Sequence, residues 1–293
     1  MKKSHKNLLK QLSETVAKCK FGGDIQASQA AYDRLHSVEA ILLKTILDFV
    51  EETAKHTPEI AEIRNLACQL LIVAYREASR KDLPTAEAFF NSFTDDYPGV
   101  AESSILPRLV SLTNASLAMR EVADTENRLL IWQQLSKQFQ ATSEFICGLF
   151  PYLIIMWRVA NGKSYNSSVF SQSFGQLVNQ FSDLTGGEDG PFYLFIRIAH
   201  PKIRNAIAHE TAWIDSNSGK VRYIDGRDNR QEYEIDLVKF TAIASIGSHI
   251  VPAYLSALAV IGIMKFGSCV AKALIPPKLV NIFTYRGSRL AIN

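Results

Sequence analysis

The sequence predicts an all-α helical bundle that carries a small β-hairpin. Three observations lead there. Apolar residues recur at three- and four-residue spacing along most of the chain, as at Leu35, Val38, Leu42, Ile46 and Phe49, which is the period of one helix face. Prolines open several of these segments, where the missing N–H would have had no partner anyway. Only the stretch at about 212–235 changes to alternation, in Trp213-Ile214-Asp215, Lys220–Ile224 and Glu232–Ile235, the period of a strand.

In chain order, residues 5–19 read as helix and stop near Gly22-Gly23. Asp24 then caps a long helix from about Ile25 to Lys55. Thr57-Pro58 restarts the pattern, and Ile60–Arg80 carries Ile63, Leu66, Leu70 and Val73 on one face. Pro84 opens another helix, which closes around Asp95-Asp96-Tyr97-Pro98-Gly99. That turn cluster divides the chain into an N-terminal helical region, 1–99, and a helical domain, 100–293. Glu102–Ala123 reads as helix with Pro107 near its start. Asp124 is the expected cap of a long helix through Ile131, Leu135 and Phe139, and Pro151 is expected to kink or restart it. An amphipathic segment follows at Ser168–Leu184, then a turn at Gly186–Pro191. Helix resumes at Phe192, and His200-Pro201 breaks it. Turns at Ser216–Gly219 and Gly226–Asn229 separate the alternating segments. Asp236 is placed to cap the next helix, and Pro276-Pro277 ends the pattern.

The composition is that of a globular chain, with 47% hydrophobic and 21% charged residues in 293. A net charge of +3 leaves 29 acids among 32 bases, so the balance is compatible with a nucleic-acid partner without pointing to one. The four cysteines, Cys19, Cys68, Cys147 and Cys269, lie far apart with no C-x2-C spacing. They read as reduced thiols in a cytoplasmic protein rather than as a disulfide or zinc framework. The basic N-terminus is not followed by the apolar core of a signal peptide. Phe145–Trp157 is too short to span a membrane. Thr241–Met264 is long enough, but its bulky residues are diluted by Ala, Gly and Ser, so a buried helix is expected and no membrane association.

Chemistry-bearing side chains concentrate in one octet, Ile203-Arg204-Asn205-Ala206-Ile207-Ala208-His209-Glu210. Chance would supply about 0.3 Arg-x4-His pairs in such a chain, and about 0.01 with Asn directly after the Arg. On a helix, Asn205 and His209 share a face, whereas Arg204 and His209 stand roughly 140° apart. They would meet only across a facing second copy. A near-copy, Ile63-Arg64-Asn65 with Gln69 in place of the His, shows that Ile-Arg-Asn also arises without the imidazole.

The Arg204-Asn205-x-x-x-His209 pattern, within a helical array, resembles the HEPN superfamily over roughly residues 100–265. That resemblance implies an α-bundle that dimerises and cleaves RNA without a metal or cofactor. It also implies a toxin or antiviral, abortive-infection role. Arg204 and His209 would be catalytic and Asn205 supporting. One branch of toxins has a Tyr two positions after the His. Here that position is Thr211, which argues against control by nucleotide transfer onto it.

The residue chemistry fits the same task. Imidazole exchanges protons near cellular pH, and a guanidinium presents permanently charged donors to phosphate oxygens. Lys202, Lys220, Arg222, Arg227 and Arg230 are candidate contacts to RNA phosphates, although Lys220 to Arg230 read equally as a solvated hairpin face. No aromatic residues interleave with them, and Trp132, Trp157 and Trp213 are assigned to the core. Each motif residue also has a structural reading: His209 as a helix-end histidine, Arg204 as an ion-pair partner, Asn205 as a buried amide. His200 and His249 read as core or cap histidines. The alternative function is a non-catalytic helical module that dimerises or binds a nucleotide or protein. The region 1–99 is the expected contact for an antitoxin or regulatory partner.

Overall fold

The computed structural model describes residues 53–122, 125–215, 217–226 and 230–266, together with 46, 47, 50 and 51. The expected helices at 5–19 and over most of 25–55, Asp124, and the Pro276-Pro277 ending lie outside the described residues. What is described is predominantly helical, with a small three-stranded sheet set into the chain after the motif.

The first helix, α1 (Pro58–Ser79), begins at the predicted proline. Its buried face differs from the expected one. Leu66 is 45% exposed, while Ala67, Cys68, Leu71, Ala74, Tyr75 and Ala78 turn inward. Hydropathy ranks Leu above Ala, but here the small residues let another helix approach closely. That partner is α9 (Ile250–Phe266), which contributes Ala253 and Ala257, both fully buried. The short helix α2 (Leu83–Phe90) is capped by Asp82, whose side chain accepts from Thr85 N–H at 3.3 Å. Helix α3 starts at Leu106, later than Glu102 (Leu106–Glu121). Glu102 itself has a left-handed φ of 58°, incompatible with a helical turn.

The scaffold is α4 (Arg128–Ala160), 33 residues long and thus about 50 Å. Its cap is Asn127, whose side chain accepts from Leu130 N–H at 3.1 Å. Pro151 does not break it; the helix runs through to Ala160. Burial on both sides of the proline holds the backbone in place, with Phe145, Leu149, Phe150 and Leu153 all at or below 1% exposure. A mid-helix proline costs roughly 3 kcal/mol, less than burying several such side chains contributes at about 1.5–3 kcal/mol each. Helix α5 (Phe174–Thr185) opens with a reciprocal Ser173/Gln176 capping box and closes at Gly186, whose φ is +87°. The Trp157 indole N–H donates to Leu184 O at 2.8 Å and ties α4 to α5.

Helices α6 (Tyr193–Ala199) and α7 (Pro201–Ala208) meet at His200. Strands β1 (Ala212–Ile214), β2 (Lys220–Asp225) and β3 (Gln231–Asp236) form an antiparallel meander, with Val221 opposite Ile214 and Ile235. Asp236 occupies the expected cap position of α8 (Leu237–Ser248), but its side chain makes no capping bond. His249 separates α8 from α9, and its ring meets that of His56 edge-on at 4.9 Å.

Two apolar clusters hold the described residues together. The larger joins α1, α2, α3, α5, α6 and α9 around the C-terminal half of α4. Segments on both sides of the Asp95–Gly99 turn contribute to it. The smaller joins Trp132, Leu135 and Phe139, from the N-terminal half of α4, to Ile203, Val221, Phe240 and Ala244. Two helical stretches, Arg128–Ala160 and Leu237–Lys265, are long and apolar enough to cross a membrane. About 72% and 67% of their most apolar windows are buried inside the molecule, as in the core helices of a globular protein.

Candidate functional site

The octet folds as α7 and its exit. Ile203 and Ala206, at 2% and 1% exposure, anchor the helix on the smaller cluster, and Ile207 packs beside them. At 100° per residue these three mark one side of the helix. The opposite side carries Arg204 and Asn205, both half-buried, and Lys202, Ala208 and His209, all exposed.

Both ends of α7 are held by residues in the left-handed region, where side chains other than glycine are strained. His200, with φ 35°, joins α6 to Pro201. Glu210, with φ 57°, ends the helix. Thr211 N–H bonds to Ala206 O at 2.8 Å and Glu210 N–H to Ile207 O at 3.1 Å. This is the paired closure that usually recruits Gly at the position of Glu210. The Thr211 hydroxyl, with one proton to donate, lies within hydrogen-bonding distance of both Ala206 O at 3.2 Å and Ile224 O at 3.0 Å, joining the helix end to β2. His209 sits at the C-cap, its N–H bonded to Asn205 O.

Arg204 reaches across to α4. Its Nε donates to Glu144 Oε1 at 2.9 Å, and Nη2 donates to the same oxygen. Nη1 donates to Asn205 Oδ1 at 3.1 Å. Asn205 therefore orients the guanidinium rather than the imidazole. The His209 ring has no hydrogen bond or ion pair among the described residues, and none links it to Arg204. The echo at Ile63 behaves differently. Arg64 is 4% exposed and donates to Thr53 Oγ1, a core arginine rather than a rim one.

Next to Glu144 stands Cys147, whose thiol is pushed up to about 11 by burial and then by the Glu144 charge, against the opposing pull of Arg108 and Arg204. The His200 imidazole is held below its ordinary value by burial, with Arg197 and Lys239 adding repulsion. Among the described residues no three His, Cys, Asp or Glu side chains gather as metal ligands.

The basic candidates divide. Lys220 pairs with Glu234, and Arg222 pairs with Glu232 at 3.0 Å and Asp215 at 3.1 Å. These charges are matched across the outer face of the sheet, as the solvated-face reading anticipates. Arg230 is exposed with no ion pair among the described residues, and Arg227 lies outside them. Lys202 is the exception. Its ammonium donates to Tyr233 Oη at 3.0 Å and lies 4.5 Å from that ring's centre. Tyr233 in turn stacks on its cross-strand partner Tyr223 at 5.3 Å.

A lysine beside two stacked rings is an aromatic–basic grouping that the linear sequence hides, because 202, 223 and 233 are joined only by strand register. Of the tryptophans, Trp132 is buried, but Trp213 is 39% exposed on the sheet's outer face. Its neighbours in β1, Ala212 and Ile214, point inward, and alternation sends Trp213 the other way.

No family model, no curated protein and no solved structure matches the chain.

Proposed function

We propose that the chain is a metal-independent endoribonuclease of the HEPN type, working as a homodimer in the cytoplasm as a toxin or antiviral effector. The observation that supports this is the solvent side of α7, where Arg204, Asn205 and a His209 unpartnered among the described residues lie together on a helix whose other side is anchored in apolar core. In this reading His209 removes the 2′-hydroxyl proton and another donor or the same imidazole protonates the leaving 5′-oxygen. Arg204 stabilises the charge on the phosphorane, a role worth roughly 3–4 kcal/mol of barrier for a well-aimed donor. Glu144 and Asn205 hold the guanidinium in place, and a second copy brings its own His209 opposite. Residues 1–99 supply the surface for an antitoxin or regulatory partner.

The test is cleavage of single-stranded RNA by purified protein in excess chelator. His209→Ala and Arg204→Ala are each expected to lower the rate at least a hundredfold while leaving the thermal midpoint of His209→Ala unchanged. Cleavage by His209→Ala at the wild-type rate, or no cleavage of any RNA by the wild type, would sink the reading.

One observation favours a second reading. Both the Nε and Nη2 donors of Arg204 are spent on Glu144, as in a structural ion pair between α7 and α4. In that case the helix is a dimerisation or binding surface without turnover. RNA or a nucleotide would then bind without being cut, and Glu144→Ala and Arg204→Ala would be equally destabilising.

A further inference from the structure

A cavity of about 190 Å³ lies between the C-terminal part of α4 and the loop that leads into α5. It has room for about six waters at ~30 Å³ each. From α4 it is lined by Ile154, Ile155 and Arg158, and Val169 adds a further apolar side chain; the remaining lining residues are polar, with no carboxylate among the described residues. Arg158 supplies one cation, and its Nε is fixed by Ser164 O at 2.6 Å. No acidic side chain pairs with it among the described residues. The same cavity is lined by Gln172 and Gln180, each with its Oε1 buried and without a hydrogen-bond partner among the described residues.

A buried amide oxygen left unmatched is destabilising, so two such atoms lining one cavity call for an explanation. The rim is held firmly. The Thr85 hydroxyl donates to Asp82 Oδ2 at 2.7 Å, which leaves Tyr165 to donate its own to Thr85 Oγ1. That chain fixes the loop to α2. Arg158 is fourteen residues from Glu144 along α4, about 21 Å, so this cavity is separate from the Arg204–His209 helix.

We propose that the cavity binds a phosphate ester carrying hydroxyl groups, of the sugar-phosphate or mononucleotide class. The free guanidinium nitrogens of Arg158 take the phosphate oxygens. The sugar hydroxyls donate to Gln172 and Gln180 Oε1, and Ile154 and Ile155 pack against the carbon skeleton. Among the described lining residues, one cation with no competing carboxylate selects an anion, and two unmatched amide oxygens, which only accept, select a partner rich in O–H donors. The inference does not depend on ribonuclease activity. The same chemistry is offered by a small metabolite and by the 5′-phosphorylated end of an RNA strand.

The test is calorimetric titration of the full chain with ribose 5-phosphate, inorganic phosphate and ribose. Ribose 5-phosphate is expected to bind at least about tenfold more tightly than either fragment. Arg158→Gln should abolish binding of ribose 5-phosphate and of phosphate. Gln180→Leu should remove the advantage of the sugar and leave phosphate binding unchanged. Arg158→Lys, which keeps the charge, should retain part of the affinity and guards against a folding artefact, as does a circular-dichroism melt of each variant. A 5′-phosphorylated oligoribonucleotide compared with its 5′-hydroxyl counterpart assigns the source: preference for the former points to an RNA end, exclusion of both to a free metabolite. Either assignment supports the site. Absence of binding by ribose 5-phosphate at millimolar concentration, affinity no better than that of phosphate alone, or binding that survives Arg158→Gln overturns it.

Discussion

The two halves of α4 live in different surroundings. From Phe145 onward the helix is enclosed by other helices, with Phe145, Ile146, Leu149, Phe150, Tyr152, Leu153, Ile154, Ile155 and Met156 all at or below 1% exposure. Before it, only Trp132, Leu135 and Phe139 form the centre of a small cluster shared with α7, the sheet and α8. Aromatic rings fill the first region in two sets of contacts, one joining Phe145, Tyr254, Phe89 and Tyr152 and the other joining Phe150, Phe181 and Phe192. In the second, Phe240 bridges Trp132 and Phe139, at 5.5 and 5.0 Å. The motif helix sits on the thinner support. A site needs an element that is anchored on one side and open on the other, and local stability is low where few apolar contacts lie beneath. The same helix is flanked by two residues in left-handed backbone, His200 and Glu210, and strain of that kind is tolerated only when the surrounding packing overrides it.

The sharpest way to break this comparison is a pair of cavity mutations. Phe145→Ala and Phe240→Ala should each cost about 3–5 kcal/mol in denaturant unfolding, but in different ways. Phe145→Ala is expected to lower amide protection throughout. Phe240→Ala should open α7, α8 and the sheet to hydrogen exchange while α1 and α9 stay protected. Equal loss of protection in α1 would show one cooperative unit, and the distinction between the two regions would fail.

A smaller change should strengthen the thin region. Glu210→Gly removes the left-handed strain at the end of α7 and is expected to stabilise by about 1 kcal/mol, read as a rise in thermal midpoint and slower exchange at Thr211. A loss of stability would mean that the Glu210 side chain contributes contacts outweighing its backbone strain.

Next in size is the link between the regions. Glu144→Gln is expected to cost only about 0.2–1 kcal/mol, because Arg204 and Glu144 are 25% and 37% exposed and water screens the pair. Its clearer readout is Cys147. Removing the Glu144 charge should lower the thiol's pKa and speed its reaction with a thiol reagent, whereas Arg204→Met should slow it. Cys68, pushed up to about 12 by burial alone, is the unreactive internal control. Identical rates in both variants would mean that the ion pair does not reach Cys147.

The smallest expected signal is a slope with pH. The folded-state pKa of His200 is lowered, chiefly by burial, so the unfolded chain binds that proton more readily. Stability from this group is therefore full above the ordinary histidine range and falls as pH drops through the lowered value. His200→Asn, which tolerates left-handed backbone, should flatten the stability–pH curve on the acid side. A curve of unchanged shape would assign the slope to other groups.

Much of this was legible in the linear chain, and for definite reasons. Helix openings at Pro58 and Pro201, the turn at Gly186 and the alternation of 212–235 depend on local backbone chemistry, which is written residue by residue. So is the division of α7 into an anchored and an open side, because Ile203, Ala206 and Ile207 repeat at helical spacing. Packing overruled the sequence elsewhere. Leu66 faces outward because alanines make the closer fit to α9, and Pro151 stays helical because its surroundings are buried on every side. Tertiary structure alone selected Glu144 as the partner of Arg204, sixty residues away, and brought Lys202 to Tyr233 and Tyr223. It alone also set two glutamine carbonyls against Arg158 in one cavity. Spacing along a chain encodes which side chains share a face of their own helix. Which faces meet depends on how helices of different sequence pack, and that is a property of shape that no local pattern carries.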